Sequence, residues 1–256
     1  MRIAQGRPCA VLLREKEMIY EGLAGGRIFR YKLRYPNTRL YFREYMREAE
    51  GSEYDIYADD ERYERFRKKM AEGAKPEYVE FYALTGLTSL RLLKYDSCIF
   101  HGLAFIYKEK AWILTAPSGT GKTTQYRNWI KEYPEEIRIL NGDKPALVIS
   151  KDKLMVYPTP WKGKENYGEM EKAPLGGIIY LKQGKINEIR ELSAEEGAVP
   201  IFRQFLVRPE NREEVMRISK ISDMIFRKYP VMVYENDGTS QSTRILREWI
   251  RTFGGN

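Results

Sequence analysis

Apolar and polar residues alternate over residues 29–35, with Phe29, Tyr31, Leu33 and Tyr35 on one side and Arg30, Lys32 and Arg34 on the other. A two-residue period of this kind predicts a half-buried strand with a basic outer face. Further on, Asp59 or Asp60 caps a helix that carries Tyr63, Phe66 and Met70 and stops at Gly73. After the joint Ala74-Lys75-Pro76, a longer helix sets Val79, Tyr82, Ala83, Leu87, Leu90 and Leu93 on one side. Residues 98–107 and 111–116 read as two strands joined by Lys108-Glu109-Lys110. A helix over 123–133 follows, in which Tyr126, Trp129, Ile130 and Tyr133 form a core stripe that Pro134 ends.

Residues 137–140 form a short strand, and 146–150 with 154–157 form a hairpin over Lys151-Asp152-Lys153. The long polar loop over 159–177 holds Trp161, Gly163, Lys164 and Gly168, and loops of that length in a compact domain are often functional. Strands over 178–181 and 186–190 precede the capping box Ser193-Ala194-Glu195-Glu196, whose helix must hold Pro200 in its early turns or kink there. Helices at about 211–228 and 240–252 flank a strand over 231–234. The expected fold class is therefore α/β. The expected domains are a small N-terminal α+β unit over 1–75 and a core over 76–256.

Composition narrows the class. A chain of 256 residues with 43% apolar content can bury a sizeable core. No run of eighteen apolar residues occurs, and Met1-Arg2-Ile3-Ala4-Gln5-Gly6 leads into no apolar segment, so a membrane span and a secretory signal are not expected. Cys9 and Cys98 fit no metal cluster and suit a reducing cytoplasm. Forty-four Lys and Arg against thirty-six Asp and Glu leave a net charge of +8. The charges are interleaved, as in Glu61-Arg62-Tyr63-Glu64-Arg65, which describes solvated helix faces and argues against nucleic acid as a partner.

The chemistry concentrates in Ala116-Pro117-Ser118-Gly119-Thr120-Gly121-Lys122-Thr123, between an expected strand and an expected helix. That context aims backbone N–H groups at an anion. Ser118, Gly119, Thr120 and Gly121 would wrap a β-phosphate, Lys122 would reach the β- and γ-phosphates, and the Thr123 hydroxyl would ligate magnesium, with Thr124 beside it. Ala116 stands where such a loop has its first glycine. Three features join it: the sole histidine, His101, on the preceding strand; Asn141-Gly142-Asp143 at the carboxyl end of a strand; and Thr159-Pro160-Trp161-Lys162-Gly163-Lys164-Glu165, which could bring Lys164 to a transferred phosphoryl group.

His101-Gly102, Ser118-Gly119-Thr120-Gly121-Lys122-Thr123 and Asp143, in this order, resemble the catalytic core of HPr kinase/phosphorylase. The loop is also similar to the kinase loop of ATP-dependent phosphoenolpyruvate carboxykinase, which shares that fold. The resemblance spans roughly residues 98–165, and nothing in 1–73 adds to it. It implies a phosphate-loop kinase core with a mixed sheet, ATP and Mg²⁺ as cofactors, and transfer of the γ-phosphoryl group to a serine of a small protein or precursor peptide. It also implies that His101 lies near the phosphates, that Lys122 and Thr123 hold Mg-ATP, and that an aspartate pair supplies metal ligand and base. Gly142 departs from that pair and leaves Asp143 to serve as ligand or as base. Glu165 is the first acid to test for the vacant role, where a general base would carry about 10²-fold in turnover. A nucleotide-binding regulatory module without catalysis and a small-molecule carboxykinase-like enzyme are the alternative readings, and a homo-oligomer is compatible with all of them.

Overall fold

The computed structural model describes residues 18–253. The expectations for Cys9 and the first residues, the opening of the N-terminal unit and the last three residues of the core lie outside the described residues.

Strand β1 (Ile19–Ala24) turns through Gly25 and Gly26, both at positive φ (57° and 73°), into β2 (Arg27–Lys32). The alternation holds over 29–33, where Phe29, Tyr31 and Leu33 are buried and Arg30 and Lys32 stay partly exposed, but the strand ends at Lys32 and Tyr35, expected inside, is only partly buried. Past short turns and α1 (Arg39–Phe42), β3 (Met46–Glu48) completes an antiparallel sheet of order β2-β1-β3. Asp59 caps α2 (Asp60–Arg67) by accepting from the Arg62 N–H at 2.8 Å. That helix ends at Arg67, short of the expected Gly73. Bonds from Lys69 N to Phe66 O and from Met70 N to Arg67 O tighten the chain into turns there.

Helix α3 (Pro76–Leu93) begins on its proline and buries a wider arc than one stripe. Phe81, Leu84 and Leu92 pack with Tyr31, Phe42 and Trp161, while Leu93 packs with Cys98 and Phe100. Tyr82, Leu87 and Leu90, expected inside, remain partly exposed, because α3 lies between the small sheet and the large one. Glu80 is buried on it, accepting from the N–H groups of Arg34 (2.6 Å) and Tyr35 (3.1 Å) and the Thr38 hydroxyl (2.5 Å). Burial raises its carboxyl pKa and these donors draw it back.

The large sheet is curled and mixed. Its strands are β4 (Ser97–Ile99), β5 (Leu103–Tyr107), β6 (Lys110–Thr115), β7 (Ile137–Asn141), β8 (Ala146–Ser150), β9 (Lys153–Tyr157) and β10 (Ala173–Gln183), in the order β4-β8-β9-β10-β6-β5-β7. Strand β12 (Val231–Asn236) runs parallel to β10 and carries β11 (Glu188–Glu191) on its outer edge. Along β6, Ala111 and Ile113 enter one core layer, and Trp112 and Leu114 enter the other. Helices α5 (Ala194–Phe202) and α6 (Arg212–Lys228) cover the first layer, and α4 (Lys122–Glu132) and α7 (Ser240–Phe253) cover the second. The capping box on Ser193 and Glu196 forms, and Pro200 sits inside α5.

Two sequence expectations change here. Residues 98–107 are two strands: the chain leaves β4 at Phe100 and re-enters the sheet at Leu103. Gly102 passes so close to β6 that a Cβ would lie 2.6 Å from Ile113 Cγ2 and 2.9 Å from the Leu114 carbonyl. The long loop ends at residue 172, because Ala173 and Pro174 pair with β9 and extend β10 backward. Among the described residues no helix is long and apolar enough to cross a membrane.

Candidate functional site

Strand β6 stops at Thr115 and α4 starts at Lys122, so residues 116–121 make a tight loop between a sheet strand and a helix N-terminus. Gly119 and Gly121 have φ of +83° and +108°, while Ser118 and Thr120 stay at negative φ. Alternating handedness turns successive N–H groups toward one side and makes an anion-binding concavity. The first-turn amides of α4 add donors that no intrahelical carbonyl can take. A Cβ at Gly119 or Gly121 would meet nothing within 4 Å, so the concavity is open. The Thr120 hydroxyl ties the loop to the Pro117 carbonyl at 2.8 Å. Ala116, in the position of the missing glycine, buries its methyl group in the layer under α4.

Lys122 folds back over this loop, its Nζ donating to the Ala116 carbonyl at 2.9 Å and the Pro117 carbonyl at 3.3 Å. Burial lowers its pKa, the charge of Asp143 draws it up and that of Lys144 pushes it down. Thr123 is partly buried and Thr124 exposed, and the hydroxyls of Ser118, Thr123 and Thr124 bond to nothing among the described residues. Helix α4 is fixed from behind: the Gln125 amide donates to Asn236 Oδ1 (2.9 Å) and Ser242 Oγ (2.6 Å) and accepts from the Thr243 hydroxyl (2.9 Å).

His101 and Asp143 do meet, with His101 Nε2 3.4 Å from Asp143 Oδ1. Strand β7, which leads to Asp143, pairs with β5 and is separated from β6 by it. The break at His101-Gly102 closes that gap, since Gly102 N donates to the Asp143 carbonyl at 2.8 Å. Asn141 shapes the turn: its Oδ1 accepts from Asp143 N (3.0 Å) and Lys144 N (2.7 Å), and its Nδ2 donates to the Thr159 carbonyl (2.9 Å). Gly142 has no room for a side chain, because a Cβ would lie 2.5 Å from the Lys162 carbonyl and 3.2 Å from that of Tyr167. The absent second aspartate is thus sterically excluded from this turn.

Two partners escaped the sequence reading. Lys144 Nζ bonds Asp143 Oδ2 and lies 4.9 Å from the centre of the Tyr82 ring. Its adjacency to Asp143 in the sequence was the available signal. Gln204 Oε1 is 3.1 Å from His101 Nδ1, across a sequence distance that carries no pattern. Burial opposes ionisation of Asp143, but the hydrogen bonds and charges of His101 and Lys144 outweigh it and hold the carboxyl at about 2.

The loop between β9 and β10 is anchored more deeply than its polar sequence suggests. Trp161 is fully buried and donates to the Phe81 carbonyl at 2.8 Å. Lys162 is buried, with Nζ 2.7 Å from Glu44 Oε1 and 3.0 Å from the Gly168 carbonyl. Lys164 is exposed and lines a cavity of about 640 Å³ with Arg43, Lys75 and Tyr78, and no contact joins it to the loop over 116–121. Glu165, also exposed, pairs with Arg127 of α4 at 2.9 Å. Among the described residues no group of three or more His, Cys, Asp or Glu could hold a metal by itself.

No family model and no curated protein matches the chain. Among solved structures, the chain is similar to the Hpr(Ser) kinase/phosphatase from Coxiella burnetii, with a TM-score of 0.38 and 9% identity over 60% of this chain and 88% of that one.

Proposed function

We propose that the chain is a Mg-ATP-dependent kinase that transfers the γ-phosphoryl group to a hydroxyl, with a serine of a small protein or peptide as the acceptor class. The observation that carries this reading is Lys122. It is a partly buried ammonium at the head of a helix, above an open loop of alternating handedness, and only carbonyls of its own loop answer it. Such a cradle is complementary to a polyphosphate.

The donor set also fits magnesium, which binds through one or two carboxylates and substrate phosphates and needs no three-residue protein cluster. Thr123 and Asp143 would hold it, and the bound ion would supply neutralisation of phosphate charge. In the transfer, the bond from the γ-phosphorus to its bridging oxygen breaks, a bond from the acceptor oxygen forms, and ADP leaves. Asp143, already ionised, is suited to orienting the hydroxyl more than to removing its proton early. A loose transition state tolerates that, because the acceptor loses its proton late, to the Asp143 carboxylate or to an oxygen of the phosphoryl group it receives, and from there to solvent. His101 and Lys144 keep the Asp143 carboxylate charged and fixed.

The steric exclusion at Gly142 favours a second reading, nucleotide binding without transfer. Calorimetry with Mg-ATP tests what both share: Lys122→Ala weakens binding by about 10²-fold, on the order of 3 kcal/mol for a charge-assisted contact in a partly dry site. Unchanged affinity overturns the loop assignment. Transfer of label from γ-³²P-ATP to serine peptides separates the two readings, since a binding module gives none.

A further inference from the structure

We infer that a basic, apolar-floored groove between α2, α3 and the segment after α5 docks an acidic peptide segment of the phosphoacceptor. This rests on the kinase reading and adds where the acceptor binds and what chemistry selects it.

The groove encloses about 570 Å³. Phe66, Leu87, Leu90 and Leu206 give it an apolar floor, and Arg62, Arg65, Lys69, Arg203 and Arg208 stand around it, with Glu210 as the acid among its lining residues. Arg62 and Arg65 are shared with carboxylates of their own helix region, Asp59 and Glu61. Arg203 and Arg208 are exposed and have no carboxylate partner among the described residues. Thr85 lines the same groove, and its hydroxyl is buried without a hydrogen-bond partner.

The groove runs to the candidate site. Lys144 and Tyr82 line it, and Lys144 bonds Asp143 directly. Its far wall is clipped to the end of β4 and the His101 break: Phe205 bridges Phe100, Leu206 N donates to the Ile99 carbonyl at 2.9 Å, and His101 N donates to the Gln204 carbonyl at 2.8 Å. A peptide lying in the groove therefore leads a neighbouring hydroxyl toward Asp143. Charge selects the occupant. Residues 1–17 carry Arg2, Arg7, Arg14 and Lys16 against Glu15 and Glu17, the wrong sign for this lining. An acidic segment with interspersed apolar side chains matches both rim and floor.

The test is fluorescence anisotropy with the full chain and a fluorescein-labelled peptide of Glu and Leu with one Ser, beside matched Lys/Leu and Glu/Gly peptides. The wild type binds the Glu/Leu peptide best, and the Arg203→Glu, Arg208→Glu double variant weakens it by about tenfold or more. Calorimetry shows unchanged Mg-ATP affinity in that variant, so a failure of the groove is distinct from a failure of the nucleotide site. Absent binding of the Glu/Leu peptide, equal binding of the Lys/Leu peptide, or equal affinity in the double variant overturns the proposal. A concentration-dependent dimer in sedimentation that the double variant abolishes also overturns it, by giving the groove to a second copy of the chain.

Discussion

Two glycine-bearing turns contribute to the candidate site, and they use glycine for opposite reasons. In the loop over 116–121, Gly119 and Gly121 adopt positive φ in open space, so the residue is needed for backbone conformation and not for want of room. In the turn that carries Asp143, Gly142 does not have positive φ but is pressed against the carbonyls of Lys162 and Tyr167, so the residue is needed because nothing larger fits. One turn stands in open space. The other is a rigid platform that fixes a carboxylate, and the same packing that fixes Asp143 removes the place for a second acid.

Substitutions can break or sharpen that contrast. Gly142→Ala should have the largest effect, a loss of about 2–3 kcal/mol in urea unfolding, since a backbone oxygen 2.5 Å away cannot yield as a flexible side chain would. An unchanged midpoint would show that the loop over 162–167 moves freely and that the platform is soft.

Asp143→Asn tests what the platform holds. The carboxyl lies at about 2, below its ordinary 3.8, so its stabilisation is complete above the ordinary value and disappears as the pH falls toward 2. Between pH 5 and 2 the wild type should therefore lose about 2 kcal/mol more than the variant, measured by chemical denaturation across that range. Parallel profiles for the two proteins would mean that His101 and Lys144 do not hold the charged form.

Gly119→Ala should cost less, about 1 kcal/mol from the left-handed backbone alone, because no atom opposes the added methyl group. A cost matching that of Gly142→Ala would erase the contrast. Glu165→Gln should matter least. Its carboxylate is exposed and paired with Arg127, so turnover should change less than about threefold, as for other solvated ion pairs. A drop near 10²-fold in a steady-state assay would restore Glu165 as the general base.

Local chemistry was legible wherever the signal lay within one element. The tight loop over 116–121 between strand and helix, the Asp59 and Ser193 caps, and the tight turn at Lys108-Glu109 between β5 and β6 all follow from short-range rules about N-caps, turn residues and period. The helix expected to run to Gly73 ends at Arg67, because apolar spacing continues to Met70 while the backbone has already tightened to i→i+3 bonds. The strand expected over 98–107 is two strands, because its apolar run crosses a break that the approach of β6 imposes on Gly102.

By itself the sequence determined the cradle: the glycine positions, the lysine, the hydroxyls and the α/β alternation are consequences of residue type and spacing. Tertiary structure decided what faces the cradle. Lys144 and Gln204 hold Asp143 and His101, Trp161 and Lys162 fasten a loop that reads as polar, and Gly142 is shut against it. Each of these depends on contacts between elements far apart in the chain, and such contacts leave no period or spacing in the sequence because they arise only when the two sheets and their helices close on one another.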